Sequence, residues 1–307
     1  MLLCALAPLL ATDSPAATAD TVPAFDHIFT IVMENHSYSD IIGNTAEAPY
    51  INNLADRYGL ATEYSGVSHP SLPNYLALAG GETFGVTNDC MTCFVNAPTL
   101  ADRIEASGRR WKAYLEGMPS PCFVGNYGRY AQRHNPFIYF DAIRTNPTEC
   151  ARLVPYGDLA GDLASASQTP EYVWITPDVC NDMHDCSIRA GDDWLAQVVP
   201  ALLSAPAFTT QQSLLVITWD EDEGTPDNHI ATLVIASDVP AGFRSAVRHD
   251  HYSLLKTVEE SWGLAPLSAN DGNAQGLDEF FNSAASAPCI YVPDVAALHD
   301  LAPRPCR

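Results

Sequence analysis

Leu214-Leu215-Val216-Ile217-Thr218-Trp219 runs directly into Asp220-Glu221-Asp222-Glu223. The first part is rich in apolar and β-branched residues and too short for a core helix, so it reads as a strand buried on both faces. Such strands belong to sheets covered by helices, and open α/β sheets bind ligands beyond the carboxyl ends of their strands. Consecutive carboxylates at such an end would repel one another strongly. A solvated acidic turn is one reading. A hard divalent cation offsetting the repulsion is the other, and the position straight after a buried strand favours it. Asp220 and Glu221, nearest the strand, are the candidate ligands; Asp222 and Glu223 lie further into the turn.

Working outward, four more short apolar runs read as strands: His27–Met33, Trp111–Leu115, Tyr172–Thr176 and Thr232–Ala236. Helical patterns lie between them at Tyr50–Tyr58, Pro73–Ala79, Leu100–Ala106, Asp193–Leu203 and Tyr252–Trp262. Alternation of this kind predicts an α/β fold with a mostly parallel sheet between two helical layers. Two other strand ends are loaded with polar groups. Glu34-Asn35-His36 follows the first strand, and Pro177 to Asp185, with Asp182 and His184, follows Tyr172–Thr176. The stretch from about 81 to 166, rich in Pro, Gly, Asn and aromatics, reads as an insertion over one end of the sheet. It belongs to a single domain expected to span 24–307.

The chain has 307 residues, 47% hydrophobic and 17% charged, which excludes a disordered polymer. Fifteen basic against 37 acidic residues give a net charge of −22, and Lys112 and Lys256 are the only lysines. Nucleic acid is excluded as a partner, because its binding needs a basic face. No stretch approaches a transmembrane span, so integral membrane association is not expected either. Residues 1–23 read as a signal-like leader and linker, with Met1–Ala11 apolar but without a positive start, which predicts export through a possibly truncated signal. Removing the leader removes Cys4 and leaves eight cysteines. Pairing between sequence neighbours gives Cys90–Cys93, Cys122–Cys150, Cys180–Cys186 and Cys289–Cys306. Ligand spacing in Cys90-Met91-Thr92-Cys93 keeps a zinc site as the rival.

Val67-Ser68-His69-Pro70-Ser71-Leu72-Pro73-Asn74-Tyr75 precedes an apolar run that ends at Gly80-Gly81. This places Ser71 at or just before a helix N-terminus, where backbone N–H groups favour an anion. Ser71 is either a cap or a nucleophile whose hydroxyl is activated by a metal. Among the histidines, His69 lies two residues before Ser71. His184, flanked by acids, is a candidate hydrogen-bond donor or general acid, or else a loop stabiliser. His134 could rim the pocket from the insertion. His251 opens a helix, where a cap is its plainest role. His229, preceding a strand, belongs at the wrong edge of a parallel sheet unless a loop carries it back. His27 and His36 read as local packing residues, and Asp192 as a helix N-cap.

Taken in order, Met33-Glu34-Asn35-His36-Ser37-Tyr38, His69-Pro70-Ser71-Leu72-Pro73-Asn74-Tyr75, Cys180 to Asp185 with Gly191-Asp192-Asp193-Trp194-Leu195, Trp219-Asp220-Glu221, and His251-Tyr252-Ser253-Leu254-Leu255 form a recognisable series. It resembles the acid phosphatase and phospholipase C branch of the alkaline phosphatase superfamily, from about Asp26 to Leu264. The resemblance implies a three-layer α/β/α sandwich. It implies metal ligation by Glu34, Asn35, Asp220 and Glu221, with Ser71 as nucleophile. It also implies a phosphate pocket or second metal site at Asp182 and His184, with His69, Asn74, His134, His229 and His251 around the substrate. The implied reaction is hydrolysis of a small phosphate ester through a phosphoserine, with a monoester favoured because the chain is shorter than phospholipase C relatives. Phosphodiester cleavage is the alternative, and a binding module with a degenerate site a further one. A serine esterase is disfavoured because Gly66-Val67-Ser68-His69-Pro70 lacks the last glycine of an elbow. A sulfatase is disfavoured because Ser71-Leu72-Pro73-Asn74-Tyr75 lacks the expected arginine.

Overall fold

The strand β1 (His27–Met33) is buried at every position. Both its neighbours, β5 (Tyr172–Thr176) and β6 (Ser213–Trp219), run parallel to it, with Ile28 opposite Tyr172 and Met33 opposite Trp219. The computed structural model describes residues 21–281; the leader and the Cys289–Cys306 pair lie outside the described residues. Five further strands complete the sheet: β2 (Gly59–Ser65), β3 (Trp111–Leu115), β4 (Leu153–Pro155), β7 (His229–Ile235) and β8 (Arg244–Asp250). The eight strands lie in the order β4-β3-β5-β1-β6-β7-β2-β8. All pairings are parallel except those of β7, which runs antiparallel to both β6 and β2.

Side chains alternate between two covered faces, as strands require. On one face Tyr172 meets Trp262 edge-on and Trp174 meets Tyr75, which belong to the packed helices His251–Trp262 and Ser71–Gly80. On the other, Phe29 meets Phe208, and the helix Ile188–Leu203 packs on Pro49–Arg57. The result is a three-layer α/β/α sandwich. No helix among the described residues is long and apolar enough to cross a membrane.

Several boundaries differ from expectation for local reasons. The helix expected at Asp193 begins at Ile188, capped by the Ser187 hydroxyl. Asp192 is therefore not its cap; its carboxylate accepts from the N–H groups of Tyr50 and Ile51 (3.1 and 2.8 Å) and caps the neighbouring helix instead. Likewise Asp250, not His251, caps the helix His251–Trp262. The stretch 81–166 supplies β3 and β4 to the sheet itself. It also supplies the turns Gln132–His134 and Pro136–Tyr139. Disulfides join Cys90–Cys93, Cys122–Cys150 and Cys180–Cys186, with Cα separations of 5.7, 5.0 and 4.7 Å. Mutual pairing of Cys90 and Cys93 leaves no thiolates for zinc.

Candidate active site

Backbone bonds fix three carboxylates at the ends of β5, β1 and β6. Asp220 N–H donates to Met33 O (2.9 Å), and Glu34 N–H donates to Asp182 O (2.9 Å). Glu34, Asp182 and Asp220 are all fully buried. Between them Asn35 turns the chain with φ of 51°, a left-handed conformation that Asn tolerates better than most residues. Its N–H faces Asp220 Oδ1 at 3.4 Å.

Ser71 follows β2, whose end lies on the same edge of the sheet, as the first residue of the helix Ser71–Gly80. Pro70 occupies the N-cap and provides no side-chain cap, while Leu72 N–H donates to Asp89 Oδ1 (2.9 Å). Ser71 is thus no cap. Its hydroxyl lies 3.1 Å from both Glu34 Oε2 and Glu221 Oε1. Asn74 holds the preceding loop: its Oδ1 accepts from Val67 and Ser68 N–H (both 2.9 Å), and its Nδ2 donates to Ser68 O (2.8 Å) and Pro70 O (3.2 Å). Those bonds commit the Asn74 amide to positioning Ser71 rather than to touching substrate.

The histidines divide in the same way. His134, almost fully buried, places Nε2 3.2 Å from Glu34 Oε1 and Nδ1 3.1 Å from Asp182 Oδ2, and stacks on Tyr75. His184 stands behind it at 5.7 Å between ring centroids, its Nδ1 on Asp185 Oδ1 (2.7 Å) and its Nε2 accepting from Arg133 (3.0 Å). His69 pairs through Nδ1 with Glu221 and reaches Thr225 O with Nε2 (3.1 Å). His251 is fully buried and donates to the Asp220 carbonyl (2.6 Å), which anchors that turn. His229 stands at the carboxyl edge after all, because β7 is antiparallel and needs no returning loop. It stacks on Tyr38 and bonds Thr62 O (2.9 Å), so its contacts lie away from Ser71. His27 bonds Pro170 O and Gln211, both distant in sequence rather than local, while His36 faces Glu223.

Electrostatics set the character of the pocket. Burial pushes Glu34 well above the usual carboxylate range, with Asp182 adding to it; Asp220 rises by burial and then by Glu34 and Glu221. Asp182 and Glu221 are also raised, chiefly by burial, and burial holds His134 well below the usual imidazole range. Two oxygens among these groups, Asn35 Oδ1 and Asp220 Oδ2, are buried with no hydrogen-bond partner. Carboxylate and amide oxygens crowded in this way suit a hard divalent cation. Glu34, Asn35, Asp220 and Glu221 offer oxygens of the kind such an ion takes, while the buried grouping whose ligating atoms lie within 4.8 Å of one another is Glu34, His134 and His184. A separate, more exposed grouping joins His36, Asp40 and Glu223. Asp222 instead closes its own turn by accepting from Gly224 and Thr225 N–H (2.8 and 2.7 Å).

Sequence reasoning missed three contributors. The Tyr75 hydroxyl donates to Glu34, Asp89 holds the N–H next to Ser71, and Arg133 reaches His184. Tyr75 sits one helical turn after Ser71, a spacing that could have signalled a shared face. Nothing local marks Asp89 or Arg133.

A model of the Phosphoesterase family matches residues 44–265. The phosphatidylinositol-3-phosphatase of Mycobacterium tuberculosis is 36% identical over 268 residues, covering 86% of this chain and 85% of that protein. The acid phosphatase of Aspergillus fumigatus is 32% identical over 279 residues; the match covers 86% of this chain but 61% of the fungal protein. Among solved structures, an alkaline phosphatase superfamily protein from Vibrio parahaemolyticus superposes with a TM-score of 0.56 at 12% identity, over 81% of this chain and 70% of that one. The phosphonate monoester hydrolase of Agrobacterium radiobacter gives 0.55 at 14% identity, over 83% and 77%. These structures speak for the fold alone. Fold, family match and relatives agree, and the chain belongs to the Phosphoesterase family, hydrolases acting on phosphoric ester bonds.

Proposed function

We propose that this protein is an exported, divalent-metal-dependent phosphomonoesterase of the acid phosphatase type, with Ser71 as its nucleophile. The observation that carries the reading is the Ser71 hydroxyl, 3.1 Å from two carboxylates at a helix N-terminus. A divalent cation held by Glu34, Asn35, Asp220 and Glu221 would supply positive charge that acidifies the serine hydroxyl and offsets the substrate's phosphate. Ser71 Oγ attacks phosphorus and loses its proton to Glu34 or Glu221, and the ester P–O bond breaks in line. His184, once its Nε2 is turned from Arg133 and protonated, is the group proposed to donate to a phosphoryl oxygen or to the departing alcohol, while His134 lines the phosphate pocket. Water then attacks phosphoserine from the vacated side and frees phosphate and Ser71. The disulfides support an exported protein. Names of the relatives point to monoesters, one of them on a lipid.

Ser71→Ala is expected to lower turnover by roughly 10⁴ to 10⁶ while inorganic phosphate or vanadate still binds. Rapid quench with labelled substrate should trap phosphate on Ser71 in the wild type. Near-normal turnover in the alanine variant would end the nucleophile assignment.

A further inference from the structure

We infer that Arg133 is a specificity-determining residue that makes this site prefer dianionic phosphate monoesters over monoanionic diesters. The inference rests on the phosphoester reading above and deepens it. Glu34, Asp182, Asp220 and Glu221 are buried together, and an incoming phosphate adds further negative charge. A monoester brings about two charges above pH 6 and a diester one. Arg133 is the one cationic side chain among the described residues that is hydrogen-bonded to a candidate site residue. It precedes His134, which touches both Glu34 and Asp182.

Its guanidinium is also under-committed. Arg110 shows what a structural arginine looks like here: its donors are divided among Glu171, Gln168 O and Thr169 O. Arg133 makes one bond, through a terminal nitrogen to the His184 ring. Its Nε is enclosed without a hydrogen-bond partner, 3.7 Å from an Asp89 oxygen. Asp89 meanwhile is bonded through its other oxygen to Leu72 N–H, beside Ser71. Arg129, the other arginine near the loop after β5, is 63% exposed and only 3.9 Å from Asp178, so it is no substitute. A planar fork with spare donors suits the oxygens of a phosphoryl group, and a diester offers it one fewer charged oxygen. Turning to the substrate would also free His184 Nε2.

The test compares wild type, Arg133→Gln and Arg133→Lys at pH 7.5 on an aryl phosphate monoester and a bis-aryl diester. Inorganic phosphate binding is measured by calorimetry alongside. Arg133→Gln is expected to raise the monoester KM and the phosphate Kd about 10- to 100-fold. The diester KM, or its inhibition constant where turnover is absent, should move less than about threefold, since hydrogen bonds to charge are the stronger ones. Arg133→Lys should recover part of the loss and controls for folding. Equal losses on both esters, or unchanged phosphate affinity, would overturn the inference. Phosphate affinity measured in a Ser71→Ala background separates the two ideas: it falls with Arg133→Gln even where Ser71 proves not to be the nucleophile. A wild type that hydrolyses neither ester and binds no phosphate removes the phosphoester reading and this inference together.

Discussion

Glu34 carries more of the site than any other side chain: Ser71 and the Tyr75 hydroxyl donate to it, and His134 contacts it. It does so at zero exposure and beside other carboxylates, an arrangement that costs stability unless a cation offsets it. Two consequences follow from that one conflict. Chelation verified by elemental analysis should abolish turnover and lower the Tm, because removing an ion that binds the folded state removes its linked stabilisation. Glu34→Gln should lose most activity and most bound metal, yet unfold little lower than the chelated wild type, since the change removes a buried charge. Full turnover in verified metal-free protein would sink the metal assignment.

Gly66 shows how tightly one element constrains another. It follows β2, and a Cβ there would stand 2.6 Å from the Asn228 amide nitrogen and 2.7 Å from the Asp220 carbonyl. That carbonyl is already fixed by His251, so it has nowhere cheap to go. Gly66→Ala is expected to cost about 1–3 kcal/mol by overpacking and to reduce kcat by displacing the Asp220 turn. Thermal melts and steady-state kinetics check both, and an alanine variant with native kcat would show that this turn tolerates movement. Nothing in the local sequence distinguishes this glycine, because the clash comes from segments more than a hundred residues away. The same physics explains what was legible. Strands β1, β5 and β6 are buried on both faces and read directly as apolar runs, and their polar ends named Glu34, Asp182, Asp220 and Glu221. Strands β2, β4 and β8 are short or half-exposed (Arg244 to Asp250 is mostly polar), so periodicity was silent. The reversed direction of β7 is a tertiary fact, and it alone decides which edge receives His229.

Over the whole molecule, a net charge of −22 means that acidification relieves self-repulsion, and particular buried acids amplify that trend. Glu259 is the clearest case. It lies on the helix His251–Trp262 with both carboxylate oxygens buried and unpartnered. Burial, followed by Asp271, pushes its carboxyl up to about 8 from 4.5, against a small opposing pull from Lys256. Between those two values the folded protein holds a proton that the unfolded chain has released. Stability is therefore fully present below pH 4.5 and is lost as pH rises through about 8. His251, held down to about 4 by burial, carries the opposite slope, but only below its ordinary 6.5. The raised carboxyls of Glu34, Asp182 and Asp220 carry the same sign as Glu259, so the share due to Glu259 is what Glu259→Gln removes from the decline across the window from 6.5 to 8. Wild-type Tm should decline across it, by a difference on the order of 1–2 kcal/mol or a few degrees. Glu259→Gln keeps the shape, never ionises, and should flatten the decline while raising the Tm at pH 8. Melting curves at fixed ionic strength decide the point: an unchanged slope in the glutamine variant would move the pH sensitivity from this side chain to the general charge of the surface.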